Sequence, residues 1–223
     1  MPHGGPHIEH NPAVHNHRMS HAPATTHLLY LHGFRSSPQS MKARKMAALV
    51  AQRWPELHWW CPQLPPSPME AASLIEAGSA GWPSVTMAVI GSSLGGFYAT
   101  WLAQRRHSRA VLINPAVEPA RDLTRHIGEQ SSWHDPAERF YFEPHFVDEL
   151  RALEVGALRH PERLLAVIAT GDEVLDWREM QARYAGAQQR IVPGSDHALS
   201  DFDDHLPAIL GFLGLAPEGP PLH

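Results

Sequence analysis

The sequence predicts an α/β fold, with a mainly parallel sheet of about six strands, helices on both faces and a small helical cap. Three observations carry that expectation. Short β-rich apolar runs alternate with amphipathic stretches along the chain. Each run is followed by Gly, Pro, Asn or Asp, the residues that end strands and open loops. The 223 residues, 43% of them hydrophobic, hold enough apolar material for one substantial core and little for a second.

In chain order, the expected strands are LLYL from Leu28, HWWC from His58, MAVI from Met87, AVLI from Ala110, LLAVIA from Leu164 and RIV from Arg190. A first helix carries Met46, Leu49, Val50 and Trp54 at helical spacing and stops at Pro55, since the residue before a proline disfavours the helical region. A second, after Ser93, places Leu94, Phe97, Tyr98, Trp101 and Leu102 on one stripe. The last repeats the pattern with Phe202, Leu206, Ile209, Leu210 and Leu213 before Gly214. Parallel strands joined by right-handed crossovers put all their C-terminal ends on one rim, where active sites of open α/β sheets collect.

Outside a domain spanning residues 26–215, the chain offers little to fold. Residues 1–25 are rich in His, Pro, Gly and Asn, and residues 216–223 form a short Pro-rich end. The tail histidines have no recognisable ligand spacing, so no metal site is assigned to them, and Met19 is a second possible start. A formal charge of −5 without a long Lys/Arg cluster gives no footprint for nucleic acid. No apolar run reaches the roughly 18 to 20 residues that span a bilayer. The single cysteine, Cys61, fits a reducing compartment and a packing role, so the default location is cytoplasmic.

The segment AVIGSSLGGFYATWL sets Gly91, Ser93 and Gly95 between an expected strand and an expected helix. In that context GxSxG describes a strained turn that lifts the Ser93 hydroxyl above the sheet. The flanking glycines remove side chains that would collide, and the helix N-terminus favours negative charge developing in acyl transfer. Ser92 lacks glycines at both flanking positions. On its own the motif also fits a glycine-rich strand-to-helix turn.

A serine hydroxyl needs a base to take its proton, and the base needs an orienting acid. The last two strands open into TGDEVLDW and PGSDHALSDF, which supply Asp172 and His197 in the chain order Ser, acid, His. Asp176 is the rival acid, though it is placed to cap a helix beginning near Trp177. Glu173 is expected to point elsewhere. Asp196, Asp201, Asp203 and Asp204 read as turn, capping and solvated residues ahead of the closing helix. The first strand runs into LHGFRSS, so the backbone N–H groups of Phe34 and Leu94 are the expected donors to a tetrahedral oxyanion, with His32 ordering the loop.

The stretch between Asn114 and Pro161 is longer than one crossover helix needs, which places a cap at about residues 116–160. Trp133, Phe140, Tyr141, Phe142 and Phe146 are the candidate lining of an apolar acyl pocket, with packing of the insert as the equal alternative.

With these residues in place, the chain resembles the α/β-hydrolase superfamily after about His27. The strings YLHGFRSSPQSMKA, GSSLGGFYATWLA, LINPAVEP and TGDEVLDW, in that order, resemble the YqiA-type family of bacterial esterases. The resemblance implies a small esterase without metal or other cofactor, with Ser93, Asp172 and His197 as its triad, acting on a small-molecule ester or thioester. The same triad would serve another acyl hydrolase, and a hydrolase scaffold can also be a non-catalytic receptor. A histidine base predicts activity that rises through an apparent pKa of about 6 to 7. Oligomeric state is not legible.

Overall fold

The computed structural model describes residues 24–215. The His-rich stretch up to residue 23, including Met19, and the end from residue 216 lie outside the described residues. Eight strands and seven helices are described, together with two 3-10 turns. Six strands form one sheet: β1 (His27–Leu31), β2 (His58–Trp60), β3 (Met87–Ser92), β4 (Arg109–Ile113), β7 (Leu164–Ala169) and β8 (Gln188–Val192). Their order is β2-β1-β3-β4-β7-β8 and every pairing is parallel. The C-terminal ends therefore share one rim, as the apolar runs predicted.

Alternation along the strands divides the core. Leu29, Leu31, Met87, Val89, Leu112 and Ile168 face one side, where α2 (Pro68–Ser79), α3 (Leu94–Arg106), α5 (Phe146–Ala152) and α6 (Trp177–Arg183) supply Ile75, Trp101, Leu150 and Met180. Leu28, Tyr30, Ile90, Val111 and Val167 face the other, under α1 (Met41–Arg53) and α7 (Phe202–Leu213). Strands buried on both faces read as continuous apolar runs because each face has its own helical layer.

Helix α1 ends at Arg53, with Trp54 already off the helical region before Pro55. Helix α7 ends on Gly214 at φ 70°, a left-handed cap. Helix α2 is an addition to the sequence reading. Ser67 caps it by accepting the Glu70 N–H at 3.1 Å, and Pro68 occupies its first turn.

The cap is where expectation and structure differ. Between β4 and β7 lie α4 (Pro119–Leu123) and α5, but between them runs an antiparallel hairpin, β5 (Gly128–Ser131) with β6 (Arg139–Phe142). A helical insert is thus corrected to a mixed one. The hairpin is held by aromatic packing: Phe140 and Phe142 meet the Phe34 ring edge-on at centroid distances of 5.8 and 5.4 Å. Among the described residues, no helix is long and apolar enough to cross a membrane.

Candidate active site

Ser93 sits between β3 and α3 with φ 57° and ψ −119°, a conformation that costs energy for a residue with a side chain. Its backbone is held on several sides: the N–H donates to Ile113 O at 2.9 Å, and the carbonyl accepts from Gly96 at 2.9 Å and Ala116 at 3.0 Å. The glycines make this turn possible. A Cβ on Gly95 would lie 2.0 Å from Leu31 O, and one on Gly91 would lie 2.1 Å from Gly95 O. Neither distance is attainable without moving backbone.

The turn brings Ser93 to two residues that follow the last strands. His197 Nε2 lies 3.0 Å from Ser93 Oγ, and His197 Nδ1 lies 2.8 Å from Asp172 Oδ2. The Asp172 side chain is fully buried, and its other oxygen accepts the Val174 and Leu175 N–H groups, each at 2.8 Å. Two backbone donors fix the carboxylate so that one oxygen remains for the imidazole. Asp176 instead caps α6, accepting the Arg178 N–H at 2.9 Å.

The loop carrying His197 is fastened from three directions. Glu173 Oε2 accepts the His197 N–H at 3.0 Å, so Glu173 belongs to the site and does not point elsewhere as its place in an extended loop suggested. The buried Lys42 ammonium donates to Ala198 O, and burial lowers its pKa to about 8 against a smaller opposing pull from Asp196. Asn114 is the third tie. It is fully buried at φ 41°, its Nδ2 donates to Asp196 O at 3.1 Å and His197 O at 3.0 Å, and its Oδ1 accepts the Ala169 N–H at 2.8 Å. Sequence reasoning missed Asn114, because an asparagine after a strand reads as a turn residue. Asp196 itself closes a turn onto Ser200, as expected.

Opposite Ser93 runs the loop after β1. A Cβ on Gly33 would come 3.1 Å from Ser93 Cβ and 3.6 Å from its Oγ, so this loop passes directly against the hydroxyl. His32 shapes it: Nε2 accepts the Leu64 N–H at 3.0 Å, which leaves Nδ1 to donate to Gly33 O at 2.9 Å. Burial drives its pKa down to about 4, so the ring is neutral near pH 7. Neither Phe34 N–H nor Leu94 N–H meets an acceptor among the described residues.

A cavity of about 450 Å³ opens beside Ser93 and His197, walled by apolar Leu94, Leu123, Val174 and Leu175 and by polar Arg35, Arg125 and Glu173. A second of about 330 Å³ shares Phe34, Arg35 and Leu94 with it, and those residues divide the two. The five expected pocket aromatics separate. Trp133 lines the first cavity and Phe140 the second, while Phe142 and Phe146 are buried in the core beneath the cap and Tyr141 is 55% exposed. Packing is what occupies Phe142 and Phe146. No group of three or more His, Cys, Asp or Glu is arranged for a metal among the described residues.

A parallel sheet with a strained serine turn after its third strand, an acid after the fifth in sheet order and a histidine after the sixth defines the α/β-hydrolase class. The chain belongs to the uncharacterised protein family UPF0227, the YqiA family, whose model matches residues 27–214. Among solved structures it is similar to an Agrobacterium vitis S4 protein assigned as a hydrolase, at 19% identity over 86% of this chain and 91% of that one, with a TM-score of 0.68. It is similar to a metagenome-derived lipolytic enzyme at 17% identity over 85% and 94%, with a TM-score of 0.61. A monoacylglycerol lipase of Paleococcus ferrophilus matches at 16% identity over 86% and 95%, with a TM-score of 0.60. At such identities the likeness is one of fold.

Proposed function

We propose that the protein is a serine hydrolase that cleaves carboxylic esters through a covalent acyl-enzyme. One observation carries the reading: the unbroken contact from Ser93 Oγ through His197 to the buried Asp172, at 3.0 and 2.8 Å, beside a cavity of ligand size. The lipolytic and lipase neighbours support it at the level of fold.

Ser93 Oγ attacks the ester carbonyl carbon as its proton passes to His197 Nε2. The oxygen that gains charge is met by the Phe34 and Leu94 N–H groups, which are free to donate and already fixed by the loop and helix. His197 then returns the proton to the departing alkoxide, leaving the acyl group on Ser93. A water repeats the sequence and releases the carboxylic acid. Asp172 holds the imidazole with Nε2 toward Ser93 and stabilises the imidazolium that forms.

The test is labelling with a fluorophosphonate followed by peptide mapping. Phosphonylation of Ser93, and loss of both labelling and short-chain ester hydrolysis in Ser93→Ala, are expected. A protein that is folded yet inert to the probe, or labelled elsewhere, overturns the proposal.

A further inference from the structure

The cavity beside Ser93 carries a positive wall that the chemistry of ester cleavage does not require. Arg35 and Arg125 both line it, and neither guanidinium has a carboxylate partner among the described residues. Arg35 is fixed before any ligand arrives: Nε donates to Ser131 O at 2.7 Å, Nη2 to Ser131 Oγ at 3.2 Å, and the group stacks on Trp133 at 4.1 Å. Its backbone is held as well, at φ 59°, with its carbonyl accepting the Trp133 N–H at 2.8 Å. Arg125 is oriented through Nε, which donates to His126 Nε2 at 3.4 Å, and the His126 ring packs on Phe34 at 5.6 Å.

Each guanidinium therefore keeps N–H groups for a ligand and has already given up part of its rotational freedom. That lowers the cost of binding a planar or tetrahedral oxyanion group. Of the cavity's two carboxylates, Asp122 is paired with Arg121 Nε at 2.8 Å, while Glu173 keeps its charge and accepts the His197 N–H. Burial first, then Arg125 and Arg35, lower the pKa of the neighbouring His126 from its ordinary value.

We infer that the substrate is an ester bearing an anionic group, a carboxylate or a phosphate, away from the scissile bond, and that Arg35 and Arg125 bind this group. The inference rests on the hydrolase reading of the same cavity and narrows it from esters in general to anionic ones. Trp133, Leu123 and Val174 would carry the apolar spacer between the two ends.

Two matched pairs test it and separate the side on which the anion lies. Methyl hexanoate against monomethyl adipate places it on the acyl side, and propyl butyrate against 2-phosphonooxyethyl butyrate places it on the alcohol side. The wild type is expected to favour the anionic member of one pair in kcat/KM. Arg125→Gln should reduce that anionic-to-neutral ratio roughly threefold to fivefold, mainly through KM, as for a partly exposed charge pair, and Arg125→Glu should reverse it. Calorimetry of Ser93→Ala with the preferred anionic ester and its neutral match reads the same preference without turnover. Hydrolysis of the neutral esters with no anionic preference in either pair overturns this inference while leaving the hydrolase reading intact. Anion-selective binding by a protein that cleaves none of the four esters overturns the hydrolase reading, and with it the ester, leaving only the arginine anion site; an unchanged ratio in Arg125→Gln overturns the subsite.

Discussion

Asn114 shows how much one amide can organise. Its three side-chain bonds join the end of β4 to the end of β7 and to the loop of His197, so the imidazole's height above the sheet depends on a fully buried residue. Asparagine suits the place twice over, tolerating the left-handed backbone and offering both a donor and an acceptor. Asn114→Ala is expected to lower kcat about 10- to 100-fold with KM little changed, because a displaced base costs proton transfer more than binding. A kcat loss that merely follows the unfolded fraction in a thermal melt would count against a positioning role. Ser93, Asp172 and His197 were legible because motif, chain order and strand ends all point to them. Asn114 was not, since its partners lie 55, 82 and 83 residues away and nothing local distinguishes it from a turn asparagine.

The turn from β3 into α3 is rigid because it is crowded, and the crowding can be tested against an open glycine. Gly95→Ala would drive a methyl group to 2.0 Å from Leu31 O, at the point where the loop of Phe34 begins. A destabilisation of at least about 3 kcal/mol is expected from denaturant midpoints, the upper range for overpacking. Gly211→Ala in α7 meets nothing within 4 Å and should instead raise stability by about 0.5 to 1 kcal/mol through helix propensity. Equal effects at the two positions would contradict the steric account. The six sheet strands and helices α1, α3 and α7 follow from apolar periodicity. Helix α2 hid behind the prolines of PQLPPSP, which read as a loop although Ser67 and Pro68 are a helix start. The β5–β6 hairpin hid because GEQS is polar and RFYF short; its order comes from Phe34, a residue more than ninety positions earlier.

Stability as a function of pH follows from His32. The folded ring has a pKa of about 4, against an ordinary value of 6.5, because burial disfavours the charged form by more than the bond to the Gly33 carbonyl favours it. Below pH 6.5 the unfolded chain takes up a proton that the folded protein refuses, so stability is fully present above that value. It is lost as pH falls toward 4, by about 3 kcal/mol at the limit. His27 and His126, also lowered mainly by burial, act in the same direction. Melts of wild type and His32→Gln between pH 7 and 4.5 should show a shallower decline in the variant, and parallel curves would remove His32 as the cause.

The sheet order has a consequence in time as well as in space. The hydroxyl of Ser93 is made before the imidazole 104 residues downstream, and the acid and the histidine follow β7 and β8, the last two strands in the chain and at one end of the sheet order. A chain synthesised only as far as β7 therefore holds its serine without this proton acceptor. On the proposed mechanism, the base that activates the serine is supplied only by the segment that follows the last strand of the sheet.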